Sequence, residues 1–107
     1  MKLSVVIPAH NEEGSVEATV RAVHAELRKE GIAHELVVVN DHSRDRTAAI
    51  LLGMKEEIPE LVVLHNDGPG GYGFAVRYGL ERFSGEAVAV MMADLSDSPA
   101  DLVRFYR

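Results

Sequence analysis

Ala87-Val88-Ala89-Val90-Met91-Met92 runs directly into Ala93-Asp94-Leu95-Ser96-Asp97-Ser98-Pro99. An apolar run of this length without polar alternation reads as a strand buried on both faces of a parallel sheet. Two carboxylates, Asp94 and Asp97, follow where the strand leaves the sheet. Open α/β sheets bind ligands outside the carboxyl ends of their strands. Hard oxygen ligands in that place suit a divalent cation carrying a phosphorylated substrate. The same residues also make an ordinary helix start, with Asp97 or Ser98 as N-cap and Pro99 in the first turn.

Upstream of this strand the chain alternates strand and helix. Leu3-Ser4-Val5-Val6-Ile7 reads as a first strand, with Pro8 stopping its ladder. A helix is expected from about Glu12, with Asn11 as N-cap and Gly31 as its stop. Val16, Val20, Val23 and Leu27 form its apolar stripe. Leu36 to Val39 is the second strand, followed by a shorter helix from about Asp45 to Met54. Leu61 to Leu64 is the third strand, and a glycine-rich loop from Gly68 leads into a helix from about Tyr72 to Phe83. Connections of these lengths imply right-handed crossovers. The expected fold class is therefore α/β: a three-layer α/β/α sandwich with a mostly parallel, Rossmann-like sheet of about four strands.

Composition bounds the function. A chain of 107 residues with 47% hydrophobic content supports one core and one domain, residues 1–107. No segment approaches the roughly 18 uninterrupted apolar residues of a membrane span, and the apolar N-terminal strand is too short for a signal peptide. Cysteine is absent, which fits a reducing compartment and provides no thiolate metal site. A formal charge of −6 argues against nucleic acid as a partner, since a backbone binder needs a basic face. Any phosphate ligand must then be held by local donors or a cation.

Each strand end carries polar residues with more than one reading. After the first strand, Pro8-Ala9-His10-Asn11-Glu12-Glu13 opens a helix whose free N–H groups can face a ligand, or simply caps it. After the second, Asn40-Asp41-His42-Ser43-Arg44-Asp45-Arg46-Thr47 is denser in polar groups than a turn requires. Asp41 is placed to accept hydrogen bonds from a base or ribose, while Ser43 and Asp45 shape the loop or cap the helix. His10 and His42 lack partners at metal-binding spacing and read as surface histidines. The glycine cluster lacks the Lys-Ser/Thr pair of a P-loop and follows the third strand, so neither standard nucleotide fingerprint fits. Gly70, Gly71 and Gly73 either offer N–H groups to a pyrophosphate, with Arg77 adding charge, or form a turn beside a solvent-facing arginine.

Taken together, the motifs carry a resemblance. The segment Ser4 to Glu13 resembles the opening of the family 2 inverting glycosyltransferases with the GT-A fold. Their second strand ends in paired acids followed by Gly-Ser-x-Asp-x-Thr, matched here at Asp41, Ser43, Asp45 and Thr47. Asn66 to Gly79 resembles the family's Asn-x-Gly…Gly…Ala…Gly segment, and Met92 to Pro99 resembles the Asp-x-Asp region of the polyprenyl-phosphate (dolichyl-phosphate) mannosyltransferase-like branch.

The resemblance implies that Pro8, Ala9 and Glu12 line a nucleotide pocket, and that Asp41 reads the base. It implies that Asp94 holds Mg²⁺ or Mn²⁺ against the pyrophosphate of a UDP- or GDP-linked sugar. The first acid of the Asp-x-Asp motif is Met92 here, which leaves Asp97 as the candidate replacement ligand. Family members have a catalytic domain roughly twice this size. The chain is thus expected to be the nucleotide-sugar-binding part, with the catalytic base and most of the acceptor site outside it. In the complete protein the sugar would pass with inversion to an acceptor such as a polyprenyl phosphate, in the cytoplasm or peripherally at the cytoplasmic membrane face. The alternative is a non-catalytic nucleotide-binding or assembly module of the same fold. An uncovered fourth strand would present an edge through which a homo-oligomer forms.

Overall fold

The computed structural model describes residues 2–94 and 98–106. Asp97, the candidate second metal ligand, lies outside the described residues. Strands and helices alternate as β1 (Leu3–Ala9), α1 (Val16–Lys29), β2 (His34–Asn40), α2 (Thr47–Glu57), β3 (Leu61–His65), α3 (Tyr72–Leu80), β4 (Ala87–Val90) and α4 (Pro99–Tyr106). The four strands are parallel in the order β3-β2-β1-β4. None of the helices is long and apolar enough to cross a membrane among the described residues.

The two central strands are buried along their whole length, which is why their sequences are near-continuous apolar runs. Alternate residues feed two cores. Leu3, Val5, Ile7, Leu36 and Val38 pack with α1, α2 and α4, whereas Val6, Val37 and Val39 meet Ala75 of α3. This is the expected three-layer sandwich. Val16, Val20, Val23 and Leu27 are fully buried, and each such side chain contributes about 1.5–3 kcal/mol by leaving water. On the opposite face α3 lies close to the sheet because of Gly79, where an added Cβ would come within 2.6 Å of Val6 Cγ1.

Gly31 ends α1 as expected, with φ +68°. Its N–H reaches the Arg28 carbonyl and that of Ile32 reaches Leu27, a Schellman closure sealed by burial of Leu27 and Ile32. The helix start differs from expectation: α1 begins at Val16, with Ser15 as N-cap, and Asn11 sits in the left-handed region at φ 52°. α2 begins at Thr47 instead of Asp45, α3 ends at Leu80 instead of Phe83, and β4 ends at Val90, short of Met92.

Pro8 corrects a further expectation, because it lies inside β1, paired in register with Val39. Leu3 N–H and Ala9 C=O bond toward β2, whereas Lys2 C=O and Val6 C=O bond toward β4. By this alternation the missing N–H of Pro8 falls on the β4 side, just past the Met91 N–H to Val6 C=O bond at 3.0 Å. The proline therefore stops only the ladder to β4, and β2 pairing continues to Asn40.

Candidate functional site

The order β3-β2-β1-β4 reverses direction at β1, so the loops after β1 and β4 diverge. A crevice opens at such a switch point. A cleft of 620 Å³ extends from there over the carboxyl ends of β1, β2 and β3, lined by Pro8, Ala9, His10 and Glu12 from the β1 loop and by Asp41, His42 and Arg44 from the β2 loop. Gly68, Gly70, Gly71 and Tyr72 line it from the glycine loop, and Met92 from beyond β4. Pro8, Ala9, Glu12, Asp41, Gly70 and Gly71, the expected nucleotide-pocket residues, thus come together.

The β1 and β2 loops are stitched to each other by the Ser-x-Asp-x-Thr residues. Asn11 N–H donates to Ser43 Oγ at 3.0 Å, Glu12 N–H to Thr47 Oγ1 at 2.8 Å, and Glu13 N–H to Asp45 Oδ2 at 3.1 Å. In return, Asn11 Oδ1 accepts from Arg44 N–H at 2.8 Å. Thr47 Oγ1 also donates to Asp45 Oδ1 at 2.6 Å. Burial of Asp45 favours its neutral form, but the bonds from Thr47 and the backbone outweigh this and hold its carboxyl below the usual range. These long-range partners, and not a local cap, satisfy the N–H groups that precede α1.

Asp41 is buried and serves the glycine loop. Its Oδ1 accepts from Asn66 Nδ2 at 3.1 Å, and its Oδ2 from Gly71 N–H at 2.8 Å. Asn66 also bonds the Pro69 carbonyl and the Gly68 N–H, so Asp41 and Asn66 together fix the loop's path. This revises the role expected of Gly71. Its N–H is taken by Asp41 inside the protein, although the residue lines the cleft with φ 127°.

Arg77 is not brought to the cleft. It pairs with Glu81 at 3.6 Å, is largely exposed, and lines a neighbouring 390 Å³ depression with Phe74 and Gly73. Its partner Glu81 lies one helical turn further on, away from the loop.

His10 and His42, expected as surface histidines, are exposed and both line the cleft. His10 Nδ1 lies 2.6 Å from the Asp41 carbonyl and His42 Nε2 lies 2.8 Å from the Gly68 carbonyl. A carbonyl only accepts, so the proton on each ring sits on that nitrogen. Arg44 adds a cation. The sequence signal for these three was their place inside the motif loops, which their side-chain types did not advertise.

At the end of β4, Ala93 is anchored to α1. Its carbonyl accepts from Thr19 Oγ1 at 3.1 Å and lies 2.8 Å from Ser15 Oγ. Asp94 follows at an exposed position. Among the described residues no group of three His, Asp or Glu side chains could hold a metal ion. Met92 offers sulfur, a poor ligand for Mg²⁺. A single carboxylate nonetheless fits the way Mg²⁺ is commonly bound, through one or two carboxylates, several waters and the phosphates of the substrate.

Comparison with known proteins bears on this geometry. The sequence profile described as "Glycosyl transferase family 2" matches residues 4–107. Undecaprenyl-phosphate 4-deoxy-4-formamido-L-arabinose transferase of Pseudomonas paraeruginosa is 36% identical over 104 residues, covering 95% of this chain and 30% of the relative. The chain therefore spans about a third or less of that protein. S. aureus TarS, in a structure with UDP, superposes with a TM-score of 0.75 at 26% identity, over 99% of this chain and 31% of its own. A mannosyltransferase of Pyrobaculum calidifontis in complex with GDP-Man and Mn²⁺ superposes with a TM-score of 0.73 at 26% identity, over 86% of this chain and 27% of its own.

Proposed function

The chain belongs to glycosyl transferase family 2, and on that premise we propose that it binds the nucleoside diphosphate of an activated sugar in the cleft over the carboxyl ends of β1, β2 and β3. The observation that carries the reading is the convergence of three motif loops, after β1, β2 and β3, on one cleft around the buried carboxylate of Asp41. Pro8 and Ala9 form its floor, and Asp41 and Glu12 face the base and ribose. Arg44 supplies positive charge to the phosphates, a part earlier expected of Arg77, and His10 lines the same cleft.

Asp94 would hold Mg²⁺ or Mn²⁺ on the diphosphate, with Asp97 as the candidate second ligand. The metal's chemistry is to neutralise the charge that builds on the leaving diphosphate. The anchored Ala93 fixes where Asp94 stands relative to α1. In the whole protein the sugar would pass to a polyprenyl phosphate, the acceptor class in the relative's name, at the cytoplasmic membrane face. β4 forms one edge of the sheet and is the surface through which the chain would self-associate.

Titration of UDP and GDP into the chain, with and without Mn²⁺, tests this reading. Micromolar to millimolar binding that Mn²⁺ strengthens, and that Asp94→Ala makes insensitive to Mn²⁺, is expected. No binding of either nucleotide would overturn it; identical Mn²⁺ dependence in Asp94→Ala would remove Asp94 from the metal site. A strictly monomeric species at high concentration in light scattering would dispose of self-association.

A further inference from the structure

His42 holds an unusual backbone conformation for its residue type. Its φ is 54°, a left-handed region shared among the described non-glycine residues only with Asn11. Histidine is among the side chains that enter this region more readily, but it still costs energy there, and such residues persist where the surroundings hold them. At this position the motif it resembles carries glycine, the residue without that cost. The conformation therefore needs a reason beyond the turn itself.

The imidazole provides it. His42 Nε2 donates to the Gly68 carbonyl at 2.8 Å, across 26 positions of sequence. Its Cδ2 lies so near Gly70 that an added Cβ there would be only 3.2 Å away. The ring thus lies against the glycine loop while lining the cleft. Asp41, the preceding residue, grips the same loop at Gly71 N–H. Consecutive residues at the end of β2 hold the loop at two points, one through a carbonyl and one through an amide. With glycine at position 42 only the Asp41 grip would remain from β2, beside the bonds of Asn66 to Gly68 and Pro69.

We propose that His42 is a positioning residue that straps the Gly68–Gly71 loop to the end of β2 and thereby sets the affinity of the cleft for its nucleotide. The inference rests on the reading of the cleft as the donor site. Its structural half stands independently, because the strap acts whether or not nucleotide is present. Gly70 is part of the same device: a side chain there would press on the imidazole, 3.2 Å from its Cδ2.

Amide hydrogen exchange on the full chain decides it, read at Gly71, whose N–H is bonded to Asp41. Exchange is expected to speed up about 10-fold in His42→Gly and His42→Ala, the equivalent of one lost hydrogen bond. His42→Gln, which keeps a donor, is expected to recover part of the protection. The melting temperature of His42→Gly should stay within about 5 °C of wild type, because relief of the left-handed strain offsets the lost bond. That separates loosening of the loop from general destabilisation. With UDP as probe, Kd should rise about 10-fold in His42→Gly and in Gly70→Ala. Unchanged Gly71 exchange in both His42→Gly and His42→Ala would overturn the strap. Accelerated exchange with unchanged UDP affinity would overturn its role in binding. Failure of wild type to bind UDP or GDP sinks the donor-site reading instead, and the exchange result still decides the strap.

Discussion

Two buried carboxylates stand at opposite ends of β2, and they do opposite things. Glu35, 7% exposed, sits near the start of the strand and Asp41, 4% exposed, just past its end. Glu35 is enclosed by groups from β1 and from the segment before β4. Ser4 Oγ donates to it at 2.6 Å, Ser84 N–H at 2.7 Å and Ser84 Oγ at 3.0 Å, with Lys2 Nζ at 3.8 Å. Ser4 Oγ in turn accepts from Gly85 N–H, where a Cβ would collide at 2.5 Å. The result is a closed lock joining β1, β2 and the segment that feeds β4. Asp41 bonds instead to a loop, and part of its environment is the cleft. The contrast shows that burial of an acid does not by itself mark a site. What distinguishes Asp41 is that its partners belong to the glycine loop after β3, which lines the cleft.

The largest effect should come from breaking the lower end. Glu35→Ala strands Ser4 and Ser84 and is expected to cost on the order of 3 kcal/mol, lowering the melting temperature by roughly 12–20 °C. Nucleotide affinity of the folded fraction should remain unchanged, and a parallel loss of affinity would dissolve the distinction between the two ends. Asp41→Ala should invert the pattern. UDP or GDP affinity is expected to drop at least about 30-fold, roughly 2 kcal/mol, with about half that loss in unfolding free energy. Calorimetric titration and denaturant melts on the same sample would separate the two numbers.

Thr47→Val tests the stitching beside Asp41, where one hydroxyl accepts from Glu12 N–H and donates to Asp45. Loss of about 1–2 kcal/mol is expected in chemical denaturation, since the isosteric methyl satisfies neither partner. An effect near zero would mean that water replaces the stitch. The smallest effect is on pH dependence. Burial pushes the Glu35 carboxyl up, but the Ser4 and Ser84 bonds and Lys2 outweigh it and leave it below the usual carboxylate range. The stability it contributes is complete above the ordinary glutamate value and is lost as pH falls through the depressed one. Melting temperature should therefore decline below about pH 4.5, more steeply in wild type than in Glu35→Gln. His24 adds a shallower slope at higher pH. Burial lowers its pKa, so the unfolded chain takes the proton first and stability declines as pH falls through the ordinary imidazole range.

The lower lock and the upper cleft were unequally legible in the sequence. The strands announced themselves, because apolar runs such as Leu36 to Val39 are buried on both sides, and the Val16–Leu27 stripe placed α1 on its face. The cleft was legible through motif order, which put Pro8, Asp41 and Gly70 after successive strands. Where α1 begins was not legible: the N–H groups of Asn11, Glu12 and Glu13 find Ser43, Thr47 and Asp45 more than thirty positions away, and only the folded chain shows that a cap is unnecessary. Glu35 gave no signal, since its partners lie 31 and 49 positions distant. His42 read as a surface residue because side-chain type reveals neither its positive φ nor its bond to Gly68.

The central place of β1 has a consequence for how the chain acquires its shape. Leu3 pairs with His34 on one side and with Ala87 on the other. β1 is therefore completed by β4, a strand about 80 positions later in the chain. Until Ala87 has been synthesised, one flank of β1 has no hydrogen-bonding partner, and closing that separation is the entropically expensive step of a high-contact-order parallel sheet. The three-stranded β3-β2-β1 ribbon can assemble first and brings the three motif loops of the cleft together, and docking of β4 then adds Met92 and the anchored Ala93. The nucleotide cleft should thus take shape before Asp94 is set in place.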